Sequence, residues 1–178
     1  MDRTNLFQQM RTDHARVLQE LEQLEVAAGC GPVPPAGPAP DLDALRDLAA
    51  TMERNFARHM TAEDEVLFPA LARALPGAAA TLVPLHEEHR ELRAMLADLA
   101  LLVDVRADRD RDEQLAVLAR DFADLLRIHI RKEEAVAFRI AEPVLHPDEL
   151  ERLAAHWNPV SPTPARRDGA SFGKELHP

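Results

Sequence analysis

The chain is poor in several residue types that carry chemistry in other proteins. Its 178 residues include one cysteine, one tryptophan, six glycines and no tyrosine. The lone cysteine, Cys30, lies in a Gly/Pro-rich stretch, where it forms no intrachain disulfide and cannot hold an iron–sulfur cluster. Without tyrosine the chain supplies neither a phenolate ligand nor a tyrosyl radical. These absences exclude disulfide, cluster and phenolate chemistry, and Cys30 is interpreted as an incidental loop thiol.

Positive charge and long apolar runs are scarce as well. Lys and Arg number 21 against 31 Asp and Glu, which gives a net charge of −10. That balance disfavours nucleic acid and anionic membrane surfaces as partners, because both select basic patches. No apolar run approaches the roughly 18 residues of a membrane span, and the first 25 residues are too charged for a signal peptide. We therefore expect a cytoplasmic protein with one hydrophobic core.

Turn signals occur at four places and divide the chain into four long segments. The breaks are the Gly/Pro-rich residues 29–40, Pro76–Gly77, the charged residues 104–112, and Pro143 with Pro147. The segments between them lack the alternation of strands, so we predict four helices. The expected fold is all-α: an up-down-up-down four-helix bundle over residues 1–141, a short fifth helix within 142–157, and a loosely ordered tail over 158–178.

Several residues are predicted to mark helix ends. Asp41 suits the N-cap of the second helix, and Asp110 or Asp112 that of the fourth. Pro69 is expected to kink the second helix or end its regular part. His146 is expected to cap the fifth helix and His156 to end it.

Each predicted helix carries an apolar line with steps of three or four residues, the spacing of one helix face. In every line, ionisable side chains occupy positions where the period calls for an apolar residue. Burying them in one core is costly unless something pairs with all of them, and a bound metal pair would do so. The four lines are Phe7, Met10, His14, Val17, Leu21, Leu24; Leu45, Leu48, Met52, Phe56, His59, Glu63, Val66; Leu82, Leu85, His89, Leu92, Leu96, Leu99, Val103; and Leu115, Leu118, Phe122, Leu125, His129, Glu133, Val136, Ile140.

The second and fourth lines each contain the pattern His-x-x-x-Glu. A separation of four places the imidazole and the carboxylate on one face, about 6 Å apart along the axis. These nitrogen and oxygen ligands suit iron, manganese or zinc. Six ligands are too many for one four-coordinate zinc, so we predict two metals bridged by the carboxylates, with the histidines divided three and one or two and two. The predicted ligands are His14, His59, Glu63, His89, His129 and Glu133.

Two neighbouring residues are alternatives to predicted ligands. His86 lies three residues before His89, but the apolar line passes through His89. We therefore expect His86 to be exposed to solvent or to contact a metal-binding residue without binding metal itself. Glu134 lies five residues after His129, and a step of five turns a side chain off the line, so the period favours Glu133.

The order of these motifs resembles the hemerythrin-like, HHE cation-binding proteins. His14 is followed by HMTAEDEVLFPAL (59–71), HEEHREL (86–92) and HIRKEE (129–134), and the resemblance covers roughly residues 6–140. It implies a four-helix bundle with two non-haem irons bridged by oxo or hydroxo and by Glu63 and Glu133, the four histidines being terminal ligands. Oxygen-carrying members have a second histidine on the third helix, where this chain has Leu85 and Arg93. The pattern is closer to bacterial members linked to nitric oxide and oxidative stress, including the iron–sulfur repair type.

The resemblance implies a protein that binds O2, NO or peroxide at an open iron position, for sensing, sequestration or defence against oxidative and nitrosative stress. One alternative is an enzyme that degrades peroxide or delivers iron for iron–sulfur cluster repair. Another is a metal-dependent interaction module whose tail binds a partner. The sequence has no flavin motif or nucleotide loop and thus no built-in electron source, which favours binding or disproportionation over reductive turnover.

Overall fold

A computed structural model describes residues 3–30, 39–106 and 109–157, and every regular element in these ranges is helical. The predicted tail, 158–178, lies outside the described residues. No helix in the described part is both long and apolar enough to cross a membrane. The helices are α1 (Arg3–Ala27), α2 (Leu42–Ala62), α3 (Phe68–Ala74), α4 (Ala79–Asp104), α5 (Arg109–Lys132), α6 (Phe138–Val144) and α7 (Pro147–His156). The all-α prediction is confirmed.

Polar side chains fix several helix ends. Asp41 caps α2 as predicted, because its carboxylate accepts the Ala44 N–H at 3.1 Å. His146 is the N-cap residue of α7, as predicted, and its own N–H donates to the Glu149 carboxylate at 3.3 Å. The N-cap prediction for α5 was wrong, because Asp110 and Asp112 lie inside its first turn. Their negative charges there stabilise the helix by interacting with the positive end of its dipole.

Helices α2 and α5 each continue into a single π-helical turn. These turns span Glu63–Leu67 and Glu133–Ala137 and lead directly into α3 and α6. The N–H of Phe68 donates to the Glu63 carbonyl, and that of Phe138 to the Glu133 carbonyl. Pro69 follows the first π turn, in agreement with its predicted effect, but Arg139 stands at the matching place after the second. Proline is therefore not the common cause of the two turns.

The π turns shift the buried face by one residue. Leu67 and Ala137 are fully buried, whereas the sequence pattern placed Val66 and Val136 on the apolar lines. A π turn holds more residues per turn than an α-helix, so the face that points inward moves along the sequence. The lines of α1 and α4, which have no such turn, are buried throughout as predicted.

The long helices pack around a core that consists of two apolar clusters. Helix α1 contacts α2 and α5, and α4 contacts the same two helices from the other side. We call the first cluster, formed by the four long helices, the four-helix cluster; it includes Leu21, Met52, Phe56, Leu96 and Phe122. The second, the cap cluster, is formed around α3, α6, α7 and the adjoining ends of α1 and α4; it includes Phe7, Met10, Leu67, Phe68, Phe138 and Trp157. Along α1 and α4, the polar residues His14 and His89 separate the two clusters.

Candidate metal centre

The six predicted ligand side chains meet between the two apolar clusters. None is more than 5% exposed. Their ligand atoms form two groups, each with all atoms within 4.8 Å of one another. One group contains His14 and His59, the other contains His89 and His129, and the carboxylates of Glu63 and Glu133 belong to both. The arrangement thus has two adjoining positions that share two carboxylates.

Distances within the centre fit a metal ion at each position. The Nε2 atoms of His14 and His59 lie 2.9 Å apart, and those of His89 and His129 lie 3.0 Å apart. Two nitrogens bonded to one ion at roughly 2.0–2.1 Å and at a right angle would lie about 2.9 Å apart. The carboxylates of Glu63 and Glu133 approach these nitrogens to 3.1–3.6 Å.

The carboxylates give a second test of that fit. All four oxygens of Glu63 and Glu133 are buried, and none has a partner with hydrogen-bond geometry in the described part of the chain. Buried carboxylates without a partner are costly unless they bind a proton or a cation. Residues and spacing therefore suit a pair of cations that both carboxylates contact.

Three carboxylates that are not predicted ligands accept hydrogen bonds from three of the four histidines and so orient their rings. The Nδ1 atom of His14 donates to Glu134 at 2.9 Å, and that of His89 donates to Asp64 at 2.7 Å. On the adjoining helix, His129 donates through Nδ1 to Glu88 at 3.0 Å. A neutral imidazole that donates through Nδ1 carries its lone pair on Nε2. These carboxylates therefore leave Nε2 free to bind a metal, and the facing lone pairs of His89 and His129 repel each other unless a proton or a metal ion lies between them.

Two of these three carboxylates accept hydrogen bonds from basic side chains. Arg93 donates to Asp64 at 2.9 Å, and Lys132 donates to Glu88. Arg93 lies four residues after His89, one of the two places where the resemblance implies a second histidine in oxygen-carrying proteins. Here that position supports His89 through Asp64 and supplies no ligand.

The centre is built from two copies of one local pattern, His-x-x-x-Glu-Asp/Glu-x-x-x-Phe, at residues 59–68 and 129–138. In each copy the π turn begins at the inner glutamate, and the next residue supplies an outer carboxylate to a facing histidine. The phenylalanine then stacks on that same histidine: Phe68 on His89 at 5.6 Å, and Phe138 on His14 at 5.5 Å. Sequence reasoning identified the His and Glu of this repeat and considered Glu134 only as an alternative ligand. It missed the roles of Asp64, Phe68 and Phe138.

The structure separates the alternative residues from the centre. The His86 side chain is 44% exposed, and its Nδ1 lies 2.8 Å from Asp64, so it contacts the centre from outside. Glu134 contacts His14 at Nδ1 and not at the Nε2 atom that faces the other ligands. Neither residue belongs to the two ligand groups. That His14, His59, Glu63, His89, His129 and Glu133 bind metal stays a prediction.

Burial and mutual charge perturb the centre strongly. Burial lowers the pKa of His14, but Glu133 and Glu134 outweigh burial and raise it to about 9. Burial and the neighbouring Glu133 raise the pKa of Glu63 well above its ordinary value. Burial likewise opposes ionisation of Glu133, but the surrounding histidines, His129 foremost, hold its pKa well below the usual range. Such a centre keeps protons when metal-free, so metal and protons compete for it.

Comparison with known proteins bears directly on these motifs. The sequence model of the family described as "Hemerythrin HHE cation binding domain" matches residues 5–141, from the start of α1 into α6. No curated protein matches the chain. The matched range covers well over half of the sequence and contains all six predicted ligands.

Proposed function

The chain belongs to the hemerythrin HHE cation-binding family, and on that premise we propose that its buried centre holds two iron ions and binds O2, NO or peroxide. One observation carries the proposal: four buried carboxylate oxygens without hydrogen-bond partners lie among four histidine Nε2 atoms. An up-down-up-down order of α1, α2, α4 and α5 is part of the proposal. The packing of each long helix on its chain neighbours, and of α1 on α5, supports it.

The ligands divide two and two in this proposal. His14 and His59 would hold one ion, His89 and His129 would hold the other, and Glu63 and Glu133, which belong to both groups, would serve both ions. Four protein groups then serve each ion, and two histidines with carboxylates are the ligand type of non-haem iron sites that keep open positions. Iron bound in this way would supply the redox chemistry and the vacant coordination positions that small ligands need.

The surrounding residues favour a small ligand. Phe68 and Phe138 stack on His89 and His14 and are at most 1% exposed, so they exclude water from the cap side. Leu85, at the other position where oxygen carriers place a histidine, is 3% exposed and apolar. The walls around the centre are thus apolar and close, which suits a diatomic molecule or peroxide better than a large polar substrate.

The role we propose is sensing, sequestration or defence against oxidative or nitrosative stress. The open positions and the buried, closely walled centre support binding of a small reactive molecule. Peroxide degradation and iron delivery use the same open positions, and kinetic measurements on the loaded protein would distinguish them.

Anaerobic loading with Fe(II) tests this function. We expect about two irons per chain, a spectral change when NO or O2 is added to the reduced protein, and a visible charge-transfer band when azide or peroxide is added to the oxidised protein. Glu133→Gln should reduce iron content, whereas Glu151→Gln, an exposed change on α7, should not. Uptake of a single tightly held zinc without iron, or a spectrum indifferent to all four ligands, would overturn the proposal.

A further inference from the structure

The two halves of the centre differ in how their histidines are supported. We call His14 with His59 the first half and His89 with His129 the second half. In the second half both histidines donate through Nδ1 to carboxylates, Asp64 and Glu88. In the first half only His14 does so. The Nδ1 atom of His59 is buried and has no hydrogen-bond partner in the described part of the chain.

A carboxylate stands at the equivalent place in the first half but is engaged elsewhere. Glu88 directly precedes His89 in the sequence and accepts a hydrogen bond from His129 on the facing helix. Asp13 directly precedes His14 in the same way. Asp13 is one methylene shorter and 2% exposed, and its carboxylate accepts the Trp157 Nε1–H at 3.0 Å. The carboxylate that matches Glu88 is therefore bonded to an indole.

Trp157 also contacts the unsupported histidine. Its ring lies edge-on to His59, with centroids 4.4 Å apart and an interplanar angle of 66°. The residue follows α7, which packs on α1 and on the first π turn, and it is 6% exposed within the cap cluster. Its position is thus fixed by the fold, and so is the difference between the two halves.

We propose that Trp157, by engaging Asp13 and packing against His59, makes the two metal positions unequal, so that the first-half position binds its ion more weakly and exchanges it more readily. The inference rests on the proposed metal centre. Loss of a carboxylate partner from a metal-binding histidine commonly costs about 10–100-fold in affinity. We expect a difference of that order between the halves, with the second half filling first. Trp157 is a positioning residue in this account and does not touch the metal.

Anaerobic calorimetric titration with Co(II) tests the inference. The wild-type protein should bind two ions in two steps. Repulsion between the ions also separates the steps, so the variant Glu88→Ala decides. If the halves are unequal, loss of Glu88 lowers the Co(II) affinity of the stronger half by about 10–100-fold, and the affinities of the two binding steps become more similar. If the halves are equal, the same change would increase the difference in Co(II) affinity between the two steps, and that result would overturn the inference.

Two control variants and one substitute variant keep the test specific. Lys132→Gln removes the other partner of Glu88 and leaves the Glu88–His129 hydrogen bond. The Co(II) dissociation constants of both binding steps should therefore stay within about threefold of wild type. Asp13→Asn should also leave them unchanged, because Asp13 does not support His59; a loss as large as that of Glu88→Ala contradicts us. If Glu88→Ala does not fold, Glu88→Gln should narrow the gap between the steps to a smaller degree.

Fluorescence of Trp157 identifies the half that fills last. It is the only tryptophan in the chain and contacts His59, so most of its quenching by Co(II) should accompany the second equivalent. Quenching complete at the first equivalent would overturn the assignment of the weaker half. Binding of fewer than two ions would instead count against the proposed function, so the two failures are distinguishable.

Discussion

The two apolar clusters on either side of the centre are built in different ways. The four-helix cluster consists of side chains at regular three- and four-residue steps on four long helices. The cap cluster depends on two π turns, three short helices and Trp157. Both bury large aromatic residues completely. The cap cluster stacks two phenylalanines on predicted metal ligands, Phe138 on His14 and Phe68 on His89, and the four-helix cluster stacks one, Phe56 on His59 at 5.8 Å. The four-helix cluster thus touches the centre through one aromatic ring, whereas the cap cluster touches three of the four histidines through Phe68, Phe138 and Trp157. We infer that the cap cluster has the larger part in shaping the centre.

The largest expected effect comes from removing one phenylalanine in either cluster. Phe122→Ala and Phe138→Ala each empty a fully buried site and should cost about 3–5 kcal/mol of unfolding free energy. Only Phe138 stacks on His14, so only Phe138→Ala should also lower iron affinity. Urea denaturation of the metal-free protein and iron titration measure the two effects. Equal losses of iron affinity in both variants would remove the distinction between the clusters.

Removal of Glu63, a predicted bridge, should chiefly abolish the stabilisation that iron provides. At an iron concentration about 1,000 times the dissociation constant, binding adds roughly 4 kcal/mol of stability. In Glu63→Ala, the difference in unfolding free energy between loaded and metal-free protein should largely disappear, because Glu63 contacts both positions. Glu65→Ala, an exposed change on the same π turn, should keep that difference within about 0.5 kcal/mol. Full iron content in Glu63→Ala would show that the bridge assignment is wrong.

The histidines of α4 give a smaller and more local test. His89→Ala should lower iron content from two ions toward about one, because it removes a ligand from the second half alone. His86→Ala should leave iron content unchanged, since His86 is half-exposed and contacts Asp64 and Phe68 but none of the predicted ligands. Elemental analysis of both variants after identical loading compares them directly. Loss of iron in His86→Ala but not in His89→Ala would reverse the ligand assignment.

The smallest expected effect is a pH dependence of the metal-free protein. The pKa of His14 is raised from 6.5 to about 9 by Glu133 and Glu134 in spite of burial. Stability from this group is therefore fully present below pH 6.5 and is lost as the pH rises to about 9. The Tm of metal-free protein should fall over this range, by roughly 2–4 °C for each kcal/mol of stability lost, and it should fall by less in His14→Asn. Iron-loaded protein should not show this fall, because metal binding already requires deprotonated His14. A flat Tm in metal-free wild type would contradict the protonation we infer.

Sequence reasoning predicted the parts of the molecule that follow one helical period. The α4 line from Leu82 to Val103 is buried as expected, and the six candidate ligands lie together. The lines of α2 and α5 also include Leu48, Leu118 and Leu125, which are only partly buried, whereas Ala49, Ala119 and Leu126 beside them are buried. Beyond the inner glutamates both lines are wrong by one residue, where a π turn interrupts the α-helical period. A repeated Phe five residues after each inner glutamate was a signal that could have indicated the second π turn, where no proline stands.

The supporting residues could not be predicted in the same way. Glu88 and Asp13 occupy equivalent places beside a histidine, yet one supports His129 and the other bonds Trp157. Their different roles depend on α7, which is distant in sequence and packs against α1. Local spacing contains no information about such a contact, so the inequality between the halves emerges only from the tertiary structure.

The central claim is that two irons lie between the clusters, one in each half. Crystals of iron-loaded protein, with diffraction recorded on both sides of the iron absorption edge, test it most directly. We predict two anomalous difference peaks, roughly 3.5–4 Å apart, one beside the Nε2 atoms of His14 and His59 and the other beside those of His89 and His129. A single peak, or peaks away from Glu63 and Glu133, would contradict the account.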